Sequence, residues 1–314
     1  MSKPHVLAVA RLSPLLTPQL AAAFEVHVLP DMDAAALLAV ASQVRGIAAS
    51  GDSKVAAELI AQLPALELIS VMGVGYDGID VAAAKARGVM VTHTPDVLND
   101  DVADLALGLM LSASRQLPAA DRFVRSGQWL QGNMPLARKM SGARLGIVGM
   151  GRIGQAIAQR ALGFNMKIAY TARSAKPALP YTFHPSAEAL AAQVDFLVVI
   201  TPGGAGTRKL IDARVLKALG PAGFLVNVAR GSVVDEDALI EALENGTIAG
   251  AGLDVFEDEP RVPQRLLDLH KAVLTPHIGS ATAATRQAMA DLAFNNLSAH
   301  LAGRSVLTPV PECR

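Results

Sequence analysis

The chain has 314 residues, of which 51% are hydrophobic and 18% charged, and its 28 basic residues balance its 28 acidic ones. A chain of this length and apolar content can form two domains with large cores, which excludes a largely disordered protein. No run of basic residues stands out, so the charge pattern gives no reason to expect nucleic acid or a membrane surface as a partner.

The number of cysteines and the N-terminal segment indicate the cellular compartment in which the protein is expected. The single cysteine, Cys313, excludes an internal disulfide, and no group of cysteines and histidines has the spacing of a metal site. Residues 1–5 carry no apolar leader, and no run in the sequence is long enough to cross a bilayer. We therefore expect a cytoplasmic protein without a bound metal.

Short apolar runs alternate with helical patterns in the first part of the chain. The predicted strands cover residues 6–10, 24–29, 46–49, 66–71 and 89–92. The predicted helices cover residues 17–23, 34–44, 54–63 and 81–86. This alternation predicts a parallel sheet with helices on both faces.

A long apolar helix starts at Asn99, and Pro118 should bend or end it. Six more strands are predicted beyond it, at residues 144–148, 167–170, 196–200, 224–227, 250–254 and 273–274. That number suits a doubly wound dinucleotide-binding fold. A last helix, from about Ser280 to Leu301, has no strand left to serve there, so we expect it to return to the first domain. The sequence thus predicts a discontinuous substrate domain, at residues 1–98 and 283–314, around a dinucleotide-binding domain at residues 99–282.

Glycines punctuate the turn after the first strand of the second domain. Gly149, Gly151 and Gly154 have the spacing G-x-G-x-x-G, which permits a tight turn, a close approach of diphosphate and close helix packing. The helix that starts with Arg152 and Ile153 would present free N–H groups to the anion. Because a strand precedes and an amphipathic helix follows, the pattern predicts a dinucleotide site.

The end of the next strand indicates which dinucleotide binds. NAD sites usually carry Asp or Glu about twenty residues after the glycines, but the segment 167–176 contains no carboxylate. Arg173 and Ser174 can instead pair with a 2′-phosphate, and Lys176 is nearby. We therefore predict NADPH as the cofactor, with NADH bound more weakly.

Three later strand ends carry groups suited to the reduction of a 2-oxo acid. Such a reaction needs a cation for the substrate, an acid for the developing alkoxide and a nicotinamide beside them. Arg230 follows one strand, and Asp254 and Glu259 follow the next. His277 alone of the seven histidines stands at a strand end. A carboxylate beside His277 would keep it protonated near neutral pH, as a general acid requires.

Taken together, these stretches resemble the D-isomer-specific 2-hydroxyacid dehydrogenases over essentially the whole chain. The motifs that carry the likeness are the glycine turn and the stretches 72–80, 94–103, 229–236, 252–260 and 276–279. Within the family, Met72–Gly75, Thr94–Val102 and Tyr170–Ser174 are most similar to the NADPH-dependent glyoxylate/hydroxypyruvate and hydroxyphenylpyruvate reductases. The resemblance implies an α/β fold in which a Rossmann domain is inserted in a flavodoxin-like substrate domain.

The resemblance also implies roles for individual residues. Arg230 would anchor the substrate, Glu259 would orient and charge His277, and His277 would donate the proton. The N–H groups of Val74 and Gly75 would receive the substrate carboxylate, as oriented amides bind anions. Cofactor contacts are expected at Val102, Gly149, Gly151, Arg152, Ile153, Gly154, Arg173, Ser174, Thr201, Pro202, Thr207, Val228, Ala229, Arg230, Asp254, His277 and Gly279.

The expected reaction reduces a small 2-oxo acid, such as glyoxylate, hydroxypyruvate or an aryl pyruvate, to the D-2-hydroxy acid. The resemblance implies a homodimer in which a loop near Trp129–Leu136 reaches toward the neighbouring subunit. Two alternatives stay open: an NAD-linked member of the family with another substrate class, and a nucleotide-sensing, corepressor-like binding protein on the same scaffold.

Overall fold

The computed structural model describes residues 3–314, which divide into two compact units. The first unit comprises residues 3–98 with Thr282–Arg314, and the second comprises Asn99–Ala281. Each unit is built on its own parallel β-sheet, so the predicted α/β class is confirmed. No helix within residues 3–314 combines the length and the apolar character needed to span a membrane.

The sheet of the first unit has five parallel strands within the described residues. Its strands are β1 (His5–Ala8), β2 (Glu25–Val28), β3 (Val44–Ser50), β4 (Leu68–Met72) and β5 (Met90–Thr92). They lie in the order β2-β1-β3-β4-β5, which is the flavodoxin-like order. The interior strand β4 is buried along its whole length, as expected when helices cover both faces of a sheet.

Four helices connect these strands in the described part of the first unit. They are α1 (Thr17–Ala23), α2 (Ala34–Val40), α3 (Ala57–Gln62) and α4 (Val81–Ala86). Asp33 and Asp80 cap α2 and α4, because their side chains accept the N–H groups of Ala36 and Ala83. The predicted helix 34–44 is too long: α2 ends at Val40, and the β-branched Val44 pairs with β1 instead.

The sheet of the second unit has seven parallel strands among the described residues. They are β6 (Arg144–Val148), β7 (Lys167–Thr171), β8 (Thr182–Phe183), β9 (Phe196–Val199), β10 (Phe224–Asn227), β11 (Gly250–Leu253) and β12 (Ala272–Leu274). Their order, β12-β11-β10-β9-β6-β7-β8, is the doubly wound dinucleotide-binding order with one further strand at an edge. Six strands were predicted, and β8 was missed because its two residues at the sheet edge are too short to show a periodicity.

The helices of the second unit are α5 (Asn99–Arg115), α6 (Leu117–Arg125), α7 (Arg152–Leu162), α8 (Ala187–Ala191), α9 (Ala213–Leu219), α10 (Glu236–Glu244) and α11 (Gln264–Leu267). The break predicted near Pro118 is confirmed. α5 stops at Arg115, Gln116 has a left-handed backbone, and Pro118 lies in the first turn of α6, where its missing N–H costs nothing.

Single turns of 3-10 helix occur in both units. They lie at Leu29–Asp31, Gln128–Gln131, Gly231–Val233 and Pro311–Cys313.

The last helix, α12 (Ala283–Leu301), packs on the sheet of the first unit. Ser70 of β4 donates a hydrogen bond from its hydroxyl to the carbonyl of Ala293 at 3.0 Å. The helix begins after the predicted Ser280, because the side chain of Thr282 caps it by accepting the N–H of Thr285. Gly303, with φ of 74°, follows its end.

Candidate active site

Six neighbouring strands of the second unit end at the same level within the described residues. The residues paired across this end of the sheet are Thr171, Val148, Val199, Asn227, Leu253 and Leu274. Because the strands are parallel, the segments that follow these residues all lie at the carboxyl edge, where open α/β sheets bind ligands. The glycine turn, Arg173, Arg230, Asp254 and His277 each follow one of these strands.

The glycine turn between β6 and α7 is too tight for side chains at two of its positions. Gly149 has φ of 105°, and a Cβ there would lie 2.6 Å from the carbonyl oxygen of Ile200. A Cβ on Gly154 would lie 2.2 Å from the carbonyl oxygen of Gly149, so this glycine lets α7 pack against the turn. Both glycines are therefore required by close contacts.

Gly151 differs from them, because no atom lies within 4 Å of where its Cβ would be. It is the N-cap residue of α7, and no side chain caps the helix there. The first N–H groups of a helix have no acceptor inside the helix and carry the positive end of its dipole. The open space at Gly151 and the uncapped start of α7, at Arg152 and Ile153, fit the diphosphate of a dinucleotide.

The loop after β7 carries the residues assigned to cofactor choice. Arg173 and Ser174 are both exposed, two and three residues beyond the end of the strand. The buried Tyr170 closes this loop, because its hydroxyl accepts the N–H of Lys176 at 2.6 Å. The segment 171–176 thus presents a guanidinium and a hydroxyl, and no carboxylate, beside the glycine turn.

Asn227, which is fully buried, shapes the turn that presents Arg230. Its side chain accepts the N–H of Ala229 at 3.1 Å and donates to the carbonyl of Arg230 at 3.0 Å. The Arg230 guanidinium donates to the carbonyl of Ala229 at 2.7 Å. A single asparagine therefore fixes one peptide group before Arg230 and the peptide group directly after it.

Gly231 brings this turn against the loop that follows β11. A Cβ on Gly231 would lie 1.9 Å from the carbonyl carbon and oxygen of Phe256. The peptide between Phe256 and Glu257 therefore occupies the space of a side chain, and the loop continues directly to Glu259. Glycine at this position is a packing requirement between the two loops.

Glu259 and His277 form an ion pair in which the imidazole Nδ1 lies 2.7 Å from Oε2 of the carboxylate. The other carboxylate oxygen accepts the N–H of Phe256 at 2.9 Å. Burial alone would raise the pKa of Glu259, but the hydrogen bonds from His277 and Phe256 and the charges of His277 and Arg230 hold it below its ordinary value. The carboxylate is therefore ionised at neutral pH.

Asp254 positions the segment that carries His277. Only 2% of Asp254 is exposed. One carboxylate oxygen accepts the Thr275 hydroxyl at 2.7 Å and the Ile278 N–H at 2.8 Å, and the other accepts the Gly279 N–H at 2.8 Å. The sequence predicts Asp254 as a cofactor contact, and its hydrogen bonds inside the protein give it a second task that the sequence did not indicate.

His277 itself has an unusual backbone, with φ of 52°. Its N–H donates to the carbonyls of Asp254 and Thr275, at 2.9 and 3.0 Å. A left-handed conformation is costly for a residue with a side chain and is typically kept where function demands an exact direction. The turn thus aims the imidazole while Glu259 holds its Nδ1.

The other predicted cofactor residues lie along the same edge of the second unit. The loop after β9 runs through Thr201 and Pro202, and the Thr207 hydroxyl closes it by donating to the Pro202 carbonyl at 2.7 Å. Val228 and Ala229 are buried beside Arg230. Gly279 and Val102 are neighbours, because a Cβ on Gly279 would lie 3.4 Å from the Val102 side chain.

Val74 and Gly75, the predicted carboxylate-binding pair, lie in the first unit, in the loop after β4. Both are half-buried. The loop packs closely on the loop that follows β3, because a Cβ on Gly78 would lie 2.3 Å from the carbonyl oxygen of Ser53. Within residues 3–314, no group of three or more His, Cys, Asp or Glu side chains is arranged to hold a metal ion.

Comparison with known proteins places this geometry in a family. A sequence profile described as "D-isomer specific 2-hydroxyacid dehydrogenase, NAD binding domain" matches residues 107–279. The chain belongs to the D-isomer-specific 2-hydroxyacid dehydrogenase family. The matched range includes the glycine turn and all three of Arg230, Glu259 and His277.

Similar members of this dehydrogenase family include a glyoxylate/hydroxypyruvate reductase of Arabidopsis thaliana, 49% identical over 86% of each chain. The hydroxyphenylpyruvate reductase of Plectranthus scutellarioides is 48% identical over 86% of each chain. A similar solved structure is that of the NADPH-dependent glyoxylate/hydroxypyruvate reductase of Sinorhizobium meliloti in complex with NADP and malonate. It has a TM-score of 0.94 and 47% identity, and the match covers 99% of this chain and 98% of that one.

Sequence reasoning did not find every residue that shapes this dehydrogenase site. Asn227 is the last residue of β10. In the sequence it is only a polar residue after an apolar run, which does not indicate that its side chain shapes the following turn. The left-handed backbone of His277 has no signature in the sequence, because only a few per cent of residues with a side chain adopt it. The contact of Gly231 with the Phe256 peptide joins two loops far apart in sequence, which no local pattern reveals.

Proposed function

We propose that this protein is a reductase that uses NADPH to convert a small 2-oxo acid into the D-2-hydroxy acid. The observation that carries the proposal is the His277–Glu259 ion pair at 2.7 Å, with the charge of Arg230 acting on the same carboxylate. These three side chains share one sheet edge with the glycine turn. A proton donor and a substrate cation beside a dinucleotide cradle suit hydride transfer to a carbonyl.

Each residue has a chemical role in the proposed reaction. Arg230 binds the substrate carboxylate and the 2-oxo oxygen, which a guanidinium can do with two parallel hydrogen bonds. The N–H groups of Val74 and Gly75 bind the carboxylate as well. His277 donates its proton to the 2-oxo oxygen as negative charge develops there, and Glu259 favours the protonated imidazole until that step. Bound NADPH supplies the hydride that reduces the 2-oxo carbon.

The cofactor would be held by the glycine turn and by the exposed loop after β7. The N–H groups at the start of α7 bind the diphosphate, and Arg173 with Ser174 binds the 2′-phosphate. Val102, Thr201, Pro202, Thr207, Val228, Ala229, Asp254 and Gly279 complete the proposed contacts. The Sinorhizobium meliloti relative, which is NADPH-dependent, supports NADPH over NADH.

The two units would divide this work as two domains. We assign substrate binding to a domain of residues 1–98 and 283–314, and dinucleotide binding to residues 99–282. The protein would act as a homodimer in the cytoplasm. Large apolar side chains exposed between α6 and β6 support the dimer, and a chain with one cysteine suits a reducing compartment.

A substrate panel tests the proposed function. Purified protein is mixed with NADPH, or with NADH, and with glyoxylate, hydroxypyruvate, phenylpyruvate or hydroxyphenylpyruvate, while the loss of reduced-cofactor absorbance is followed. We expect turnover with at least one of these acids and a higher kcat/KM with NADPH. Turnover only with NADH would favour the NAD-linked alternative. Tight NADPH binding without turnover of any 2-oxo acid would favour a nucleotide-sensing binding protein.

A further inference from the structure

His93 contacts the loop that carries the proposed carboxylate-binding N–H groups. Its ring nitrogen Nδ1 lies 3.0 Å from the carbonyl oxygen of Val74. A carbonyl oxygen can only accept, so Nδ1 carries the proton and donates it. The next residue, Thr94, donates its N–H to the carbonyl of Gly73 at 2.8 Å. Two consecutive carbonyls of the loop are therefore bound by two consecutive residues that follow β5.

The direction of each carbonyl determines the direction of the following N–H group. A trans peptide is planar, and its C=O and N–H point in opposite directions. Since the Gly73 carbonyl points to Thr94, the Val74 N–H points away from Thr94. Since the Val74 carbonyl points to His93, the Gly75 N–H points away from His93. Among the described residues, neither of these two N–H groups has a hydrogen-bond acceptor.

His93 is itself firmly held. It is buried, and the ring of Tyr76 packs edge-on against its imidazole, with centroids 5.4 Å apart and planes at 87°. The Tyr76 hydroxyl donates to the carboxylate of Glu312 at 3.1 Å. Thr308 binds the main chain of His93 on both sides, since its carbonyl accepts the His93 N–H and its hydroxyl donates to the His93 carbonyl. The imidazole is thus a fixed donor.

We propose that His93 is a positioning residue for substrate: its Nδ1–H fixes the Val74–Gly75 peptide so that the Gly75 N–H is aimed at the substrate carboxylate. The inference rests on the proposed function, because it concerns the carboxylate of the 2-oxo acid. His93 touches neither substrate nor cofactor in this role. Losing its hydrogen bond leaves the peptide free to rotate, and a donor that must first be oriented binds an anion less tightly.

Two substitutions of nearly the same shape isolate the hydrogen bond. His93→Asn keeps a side-chain N–H donor at about the reach of Nδ1, whereas His93→Leu has the same branching as asparagine and no donor. KM and kcat are measured with hydroxypyruvate, and Kd is measured for NADPH and for oxamate, a carboxylate probe, in the presence of NADPH. His300→Asn on α12 of the same unit is the control for removing a histidine.

We expect His93→Leu to raise KM and the oxamate Kd by roughly five- to tenfold, with kcat less affected and the NADPH Kd unchanged. His93→Asn should stay within about twofold of the wild type in every parameter. Equal oxamate binding by the asparagine and leucine variants would overturn the role of the donor. If the leucine variant does not fold, His93→Ala replaces it in the same comparison.

The outcomes separate this inference from the function on which it rests. A wild-type protein that reduces no 2-oxo acid contradicts the proposed function. A wild-type protein that does reduce one, with both His93 variants unchanged in KM and in oxamate Kd, contradicts only the positioning role. A weaker NADPH Kd in the leucine variant would also count against it, because it would show damage beyond the substrate carboxylate.

Discussion

Each side of His277 is controlled by a different residue. Asp254 accepts hydrogen bonds from Thr275 and Ile278, which lie on either side of His277 in the chain, and so fixes the turn. Glu259 holds Nδ1, and Nε2 is the ring nitrogen proposed to donate the proton. Because the pKa of Glu259 lies below its ordinary value, its negative charge is present throughout the neutral range and favours the imidazolium form of His277. A neighbouring carboxylate thus stabilises the protonated form of the proposed acid.

Glu259→Gln should move the pH dependence of catalysis to lower pH. In reduction the imidazolium is the active form, so activity falls as pH rises through the titration of His277. Glutamine keeps a hydrogen-bonding group but removes the charge, so the imidazolium becomes less stable and the fall occurs about one pH unit earlier. In the reverse direction, oxidation of the D-2-hydroxy acid, the rising limb should shift the same way. Measuring kcat/KM against pH in both directions checks this.

Glu257→Gln provides the matched control for that experiment. Glu257 lies two residues away, and its carboxylate pairs with Arg208 at 2.9 Å rather than with His277. Its replacement should leave both pH profiles in place. Profiles that coincide for wild type and Glu259→Gln would contradict the proposed task of Glu259.

Arg173→Asp should reverse the preference for cofactor. The exposed guanidinium beside the glycine turn is proposed to bind the 2′-phosphate, and a carboxylate there would repel that group and suit a ribose hydroxyl. We expect the Kd for NADPH to rise roughly ten- to a hundredfold, with the Kd for NADH unchanged or lower. Fluorescence titration of both cofactors measures this. Arg11→Asp, an exposed arginine of the first unit, controls for the change in net charge, and an equal loss for both cofactors would argue against the assignment.

At the scale of strands and helices, local patterns predicted most of the architecture. The helices at 17–23 and 81–86 have the predicted bounds, because a proline in the first turn of α1 and the capping Asp80 of α4 mark their starts in the sequence. The glycine turn was predicted because its function needs those residue types at that spacing. The edge strand Thr182–Phe183 and the end of α2 were predicted wrongly, since pairing with neighbouring strands decides both.

The candidate site likewise contains features that local sequence predicts and features that depend on contacts between distant parts of the chain. Arg230, Glu259 and His277 were recognisable because each follows an apolar strand. These residues come together because the ends of β10, β11 and β12 are aligned. That alignment depends on the pairing register of the strands, which cannot be deduced from the sequence alone. The close contact of Gly231 with Phe256 is likewise a property of two loops together.

Gly231→Ala should therefore damage stability and catalysis together. The added methyl group would meet the Phe256 peptide, so the loop that carries Glu259 must move. We expect a loss of about 1–3 kcal/mol in the free energy of unfolding, with a lower kcat/KM. Thermal unfolding and steady-state kinetics measure the two effects. Gly108→Ala on α5, where a Cβ meets no atom within 4 Å, should keep or raise the melting temperature; an unchanged Gly231→Ala protein would show that the loops can separate freely.

At the scale of the whole molecule, the two units each have a core of their own. Leu7, Ile47, Ile69 and Val71 are among the residues that form the first, and Leu197, Val199, Leu225 and Leu253 are among those that form the second. The net charge is zero, so electrostatic repulsion between copies of the chain is weak near neutral pH. Self-association then depends on what apolar surface is left uncovered.

The segment from α6 to the residues before β6 supplies such a surface. α6 contains no buried residue. Leu117 and Val124 of this helix are about half exposed, Leu130 is 94% exposed, and Leu136 is fully exposed. Trp129 adds an exposed aromatic ring to the same stretch. Several large apolar side chains in one segment are typical of a surface that a second protein covers.

Two charged residues introduced together in that segment should therefore separate the proposed dimer. We expect light scattering after size exclusion to give about twice the chain mass of 32.6 kDa for the wild type. The double substitution Leu130→Asp and Leu136→Asp should give the monomer mass, because burying two unpaired carboxylates at an interface costs more than the apolar contact contributes. Leu38→Asp, at a leucine of α2 that is 77% exposed, should leave the dimer intact. A wild type that elutes as a monomer at micromolar concentration would contradict the dimer, and a double variant that stays dimeric would place the interface elsewhere.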